Sequence, residues 1–194
     1  MNWLTLNLLL ALFTFSVLPA AAQTAVPSPL KSTSNVKVKY DKGKSVTTVS
    51  LKPFTLTSLQ QEKSAGSNLP LHQMDFEASF SGQGDAAKPL VGDIVLRFHC
   101  VAGTYIFLKG QEVIVAVNRD IPGQDRGFTL GNTAYRSNPP KFNSVYEEFL
   151  DLKVPADAIK KMAAAETVDI YLGPVPYRFT SKQLAALKEF GTLL

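Results

Sequence analysis

Cys100, His72 and His99 are the only cysteine and histidines in the chain. A thiol beside an imidazole base is the smallest kit for nucleophilic catalysis, but the local pattern works against it. Cys100 ends the alternating run Ile94-Val95-Leu96-Arg97-Phe98-His99-Cys100. On a strand it shares the apolar face with Leu96 and Phe98, while His99 points the other way. A cysteine on an apolar face behaves as a small hydrophobe and is inert. The three residues match no recognised zinc-ligand spacing, so no metal and no cofactor are expected. Arg97 and His99 share the opposite face. They suit contact with an anion or a partner, although a sheet face turned to solvent is ordinarily polar as well.

Glu147 and Glu148 invite a general acid/base reading, yet neighbours on a strand face opposite ways and cannot work as a facing pair. Glu148 has the parity of Leu150, Leu152 and Val154, which makes it a candidate buried carboxylate. A buried charge without a partner is costly, so one of Arg97, Arg119, Arg126 or Arg136 is expected to pair with it. A structural ion pair is the stronger reading than catalysis, because such networks also perturb carboxylates. Lys37, Lys39, Lys42 and Lys44 form a basic hairpin that would dock on an anionic surface or partner. Lysines on an edge strand also block aggregation, and that needs no partner. Asp120, Gly123 and Asp125 lack the spacing of a calcium loop. The chain contains no G-x-S-x-G, H-E-x-x-H or glycine-rich phosphate loop.

The elements that must hold these residues are mostly strands. Val36, Val38 and Tyr40 alternate with Lys37 and Lys39, and Asp41-Lys42-Gly43-Lys44 supplies a turn. Val46 to Leu56 resumes the β pattern, with Pro53 marking an edge or a bend. Leu71 to Phe80 puts Met74, Phe76, Ala78 and Phe80 on one face, and Asp93 to Val101 is the clearest alternation. Tyr105 to Leu108 and Glu112 to Val117 are expected as strands around Lys109-Gly110-Gln111, with Gly110 suited to positive φ. Phe128 to Tyr135 and Tyr146 to Val154 follow, with Asn138-Pro139-Pro140 as the loop between them.

Helices come late. Ala156 to Ala165 begins after Pro155 and places Ile159, Met162 and Ala163 on one side. A strand over Thr167 to Leu172, a Gly173-Pro174 turn and a short strand around Tyr177 and Phe179 come next. Thr180-Ser181-Lys182-Gln183 matches a capping box, Leu184, Leu187 and Phe190 form the buried stripe of the last helix, and Gly191 is expected to end it. Short strands joined by turns predict a mainly β fold, an antiparallel β-sandwich or partly open barrel with one or two short C-terminal helices covering an edge or open end. The chain's helical end and charged strand faces do not fit an outer-membrane barrel.

Met1 to Ala22 carries no charged side chain, has an apolar run from Leu8 to Leu18 and ends in three alanines. It is expected to be a secretory signal peptide cleaved after Ala22. An uncleaved anchor is the competing reading; Pro19 and the lack of a basic stop-transfer cluster stand against it. Roughly 170 residues remain, a usual size for one domain: a flexible leader over 23–34, then a single β-rich domain over 35–194. A net charge of +4 and a pI near 9.1 favour anionic neighbours, but no arginine-rich helix or stacking motif supports nucleic-acid recognition. A lone cysteine cannot form an internal disulfide, so a hydrophobic core must hold the domain.

The segment Tyr40-Asp41-x-x-Lys44-x-x-Thr47-Thr48-Val49 and the tail Phe179-Thr180-x-x-Gln183-Leu184-x-x-Leu187-x-x-Phe190 resemble small secreted bacterial β-rich proteins of uncharacterised function. The resemblance implies a periplasmic or exported protein and carries no catalytic residue. The expected function is a non-enzymatic binding or interaction module, monomeric, with a protein or anionic-surface partner, no nucleic acid and no membrane span after cleavage. The alternatives are a carrier of a small apolar ligand in a barrel cavity and a hydrolase with a dispersed site.

Overall fold

The computed structural model describes residues 30–59, 72–84, 93–123, 126–141 and 145–194. The expected signal segment and cleavage point, most of the expected leader and Asp125 lie outside them. The chain forms β1 (Val36–Asp41), β2 (Val46–Leu51), β3 (Phe54–Ser58), β4 (His72–Gln83), β5 (Ile94–Ala102), β6 (Glu112–Val117), β7 (Arg126–Asn132), β8 (Ala134–Lys141) and β9 (Val145–Val154). Helix α1 (Ala156–Ala164), β10 (Val168–Leu172), β11 (Val175–Arg178) and helix α2 (Ser181–Gly191) complete it.

Two layers form one nearly closed, barrel-like antiparallel sheet. The first runs β1-β2-β4-β5-β9-β8 and the second β3-β11-β10-β6-β7. Two bent strands join them. β2 and β3 pair with opposite halves of the same edge of β4, and the chain bends between them at Lys52-Pro53, where a missing N–H breaks the ladder. At the other corner β7 passes through Thr133 into β8, pairing first with β6 and then with β9.

Alternation explains the interior. Ile94, Leu96, Phe98 and Cys100 are all buried, with Met74, Phe76, Ala78 and Phe80 beside them on β4. Phe54, Phe76, Phe98 and Phe179 fill the space between the layers with ring centroids 5.2–5.4 Å apart. α2 begins with the expected capping box: Thr180 accepts from the Gln183 amide, and the Gln183 side chain accepts from the Thr180 amide. Its Phe190 is fully buried against Phe80 of β4.

Three local expectations are corrected. Residues 105–108 are a loop, because the Ile106, Phe107 and Leu108 amides bond to a side chain instead of a neighbouring strand. Pro139 and Pro140 lie within β8, which among the described residues pairs only with β9 and so keeps an edge free for residues without an N–H. Gly110 is needed for close approach and not for positive φ: a Cβ there would lie 2.3 Å from the Thr133 carbonyl oxygen. Gly191 ends α2 as expected, as its last helical residue, with Thr192 as the C-cap. Its missing side chain admits Ala163 of α1, whose Cβ would stand 3.0 Å from a Cβ at 191.

Leu30 packs against the core, and Ser32 and Thr33 hydrogen-bond to β1.

Candidate functional site

Strand parity sends one set of side chains from β4, β5, β8 and β9 to the outside of the first layer, and the register decides which of them meet. Asp75 faces His99, His99 faces Phe149, and Phe149 faces Arg136 across four consecutive strands. In the adjacent row Glu77 faces Arg97 and Arg97 faces Asp151.

The first row builds a stack. The His99 and Phe149 rings are parallel within 1° at 4.4 Å, and the Arg136 guanidinium lies 3.8 Å from the Phe149 ring centre. Cation–π attraction and ring stacking hold this half-buried arrangement, with Arg136 on its exposed side. In the second row Arg97 forms a two-pronged bond to Asp151, at 2.8 and 3.1 Å. That carboxylate holds the Arg97 charge in place and raises its affinity for the proton, against the opposing effect of burial. Arg136 approaches the same carboxylate at 3.8 Å.

Two depressions flank Arg97. One, of about 280 Å³, is lined by Pro53, Asp75, Glu77, Arg97, His99 and Phe149. The other, of about 490 Å³, lies where β7 turns away from β9 and is lined by Val95, Arg97, Asn132, Asp151, Leu152 and Lys153. On the rim of the first, Asp75 accepts from Thr55 and Gln73, both neutral donors. His99 Nε2 is shielded from solvent and has no hydrogen-bond partner among the described residues.

Arg97 and His99 therefore stand on one face as expected, but as members of a four-strand assembly. Lys37 and Lys39 rise from the same side of the layer on β1, three strand steps or about 14 Å from β5. All four hairpin lysines are exposed, and Asp41 shapes their turn by accepting from the Gly43 and Lys44 amides.

Glu148 is buried as expected, but its anticipated arginine partner is not what holds it: among the described residues no arginine pairs with it. Its oxygens accept from the Ile106, Phe107 and Leu108 amides at 2.6–3.2 Å and from the Tyr135 hydroxyl at 3.1 Å. Leu108 adopts a left-handed φ of 61°, uncommon for its side-chain type. The converging amides form a backbone cradle for the carboxylate. With its lone pairs occupied, Glu148 is a clamp on the 105–108 loop and not a free base.

Cys100 faces Glu148 across the ladder. Burial first, and then that carboxylate, push its thiol up to about 12. A protonated buried thiol is a poor nucleophile. His72 starts β4, and His99 leaves the opposite face of β5 from Cys100, so no thiol–imidazole pair forms between those two.

One polar pair escaped the sequence reading. Asp169 is 1% exposed and faces Arg178 across the β10–β11 hairpin, which bonds it at 2.7 and 2.8 Å. Arg178 also reaches Asp120, and these carboxylates drive its already high pKa further up. Gly173-Pro174 was the available signal. A two-residue turn there, with Gly173 at φ 57°, fixes the register that sets Asp169 opposite Arg178.

No protein-family model, curated protein or solved structure matches the chain.

Proposed function

We infer that the protein is an exported, non-enzymatic binding module whose contact surface is the outer face of β4, β5, β9 and β8. The carrying observation is the His99–Phe149–Arg136 stack beside an open depression. Arginine and aromatic side chains held rigid on a surface are the composition of protein–protein hot spots. A protein of mixed surface charge is the partner this face suits, since guanidinium and carboxylate groups alternate along it.

The residues that carried the hydrolase alternative do not support it. Glu148 has its oxygens filled by amides, and Cys100 is a buried protonated thiol. The carrier alternative finds the space between the layers occupied by phenylalanine rings. Export rests on Met1 to Ala22, and the working location is periplasmic or extracellular.

A photo-crosslinking residue at Lys153, on the rim of the face, tests the reading in the cell that makes the protein. The same residue at Glu112, in the second layer, is the control. A discrete crosslinked protein from position 153 and none from 112, on a chain beginning at Gln23, is the expected result. Crosslinks from 112 alone would refute the assignment of the face, and a chain retained in the cytoplasm would refute export.

A further inference from the structure

The β1 edge is closed by the chain itself. β1 pairs only with β2 among the described residues, so its outer edge would leave a row of backbone groups unmet. Four of these are taken by the residues just before the strand. The Val36 amide donates to Thr33 Oγ1 at 3.0 Å, and the Val36 carbonyl accepts from the Thr33 amide at 2.8 Å. One hydroxyl then does the work of a strand residue at Val38. Ser32 Oγ accepts from the Val38 amide at 2.9 Å and donates to its carbonyl at 3.3 Å.

These bonds fix the geometry of the edge. Val38 points its amide and carbonyl away from β2, so by the alternation of an antiparallel ladder Tyr40 does the same. Among the described residues none hydrogen-bonds to the Tyr40 backbone on this side, and Tyr40 is 39% exposed. Among the described residues the edge is therefore strapped at Val36 and Val38 and open at Tyr40.

The strap changes what the lysines mean. An edge already capped by Ser32 and Thr33 does not need Lys37 and Lys39 to keep other strands away. Neither these lysines nor Lys42 and Lys44 have an acidic partner among the described residues. Four unpaired ammonium groups beside an edge held by two exposed hydroxyls are the complement of one kind of guest. That guest is an extended strand with carboxylates at alternate positions. A second copy of β1 is the wrong guest, because antiparallel pairing about Val38 sets Lys37 opposite Lys39.

We propose that the outer edge of β1 is a strand-addition site for an extended acidic segment of a partner protein, and that Ser32 and Thr33 form a strap that the incoming strand displaces. Backbone bonds to Val36, Val38 and Tyr40 would supply registry, and the lysines would supply selection. This surface is separate from the Arg97–Phe149 face, so either assignment can fail without the other.

The test uses the mature chain and a fluorescent ten-residue peptide of alternating valine and glutamate, followed by anisotropy at low and high salt. The expected result is saturable binding, absent with a valine–lysine peptide and weakened by salt and by Lys37→Glu with Lys39→Glu. Ser32→Ala opens the strap and should tighten binding about fivefold, the equivalent of about 1 kcal/mol for one net hydrogen bond. The decisive control is the glutamate peptide N-methylated at alternate residues, which keeps its charge and loses the donors a ladder needs. Undiminished binding of that peptide would overturn strand addition and leave only electrostatic adhesion. Binding of phosphatidylglycerol vesicles without any peptide binding would overturn it in favour of a lipid surface. Val38→Pro removes an outward N–H without touching the β1–β2 ladder. If the folded variant binds as the wild type does, the proposed edge is wrong.

Discussion

Replacing Glu148 by glutamine removes the charge while keeping the shape, and the consequence follows from its partners. In the wild type both oxygens accept: Oε2 from the Ile106 and Phe107 amides, Oε1 from the Phe107 and Leu108 amides and the Tyr135 hydroxyl. A glutamine places an NH₂ group where one of those oxygens stood, so a donor meets a donor. The Phe107 amide is fully buried, so water does not replace the lost acceptor. One charge-assisted bond and one unmet buried donor together cost about 3 kcal/mol. For a domain of this size that is a fall in Tm of about 6–12 °C. Thermal unfolding by circular dichroism gives the first readout. Hydrogen exchange gives the second: the 106–108 amides should lose protection while the β4–β5–β9 amides keep theirs. A Glu148→Gln protein with unchanged Tm and unchanged exchange at those amides would refute the clamp. It would also revive the catalytic reading, since a side chain kept for chemistry commonly costs stability and its loss does not.

Other outcomes follow from the same geometry. Phe190→Ala empties a fully buried ring site between α2 and Phe80 and should cost about 3–5 kcal/mol in urea unfolding; an unchanged midpoint would mean that α2 is not docked. Thr180→Ala breaks half of the capping box and should cost about 1 kcal/mol in the same assay. Cys100 should resist iodoacetamide at pH 9, because burial favours the neutral thiol. Its shift contributes stability in full below the unfolded thiol value near 9 and loses it as pH rises toward about 12. Labelling that runs faster than global unfolding would contradict its burial. Arg178→Met strands the buried Asp169 and should cost about 3 kcal/mol, the low end for a broken buried pair because Arg178 is itself a third exposed. Adding Asp169→Leu should recover most of that loss, and a double variant no better than the single would refute the pairing.

Parity and punctuation made much of this fold legible. Ile94 to Cys100 announced its two faces, Pro53 announced the corner between β2 and β3, and Thr180 with Gln183 announced the start of α2. These signals are local, and each is set by residues a few positions apart. Register across a long loop is not local. Arg97 and Asp151 lie 54 residues apart, and nothing in either segment states that they meet. Asp169 and Arg178 lie nine apart across a two-residue turn, and there the meeting was readable from Gly173-Pro174.

Glu148 marks the other limit. Its parity placed it inside, and the cost of a buried charge demanded a partner, so the search went to the arginines. The partner was a run of backbone amides, which every segment possesses and no composition reveals. The same applies to the β1 edge, where a serine hydroxyl completes a ladder position that lysines alone would have been taken to guard. Sequence reasoning assigns side chains to side chains by type. In a barrel built from bent strands, the unpaired backbone at the corners and edges is the largest store of unmet bonds. A polar side chain with no obvious partner of its own kind is therefore best matched first against the nearest strand that a pattern predicts but a turn or proline interrupts.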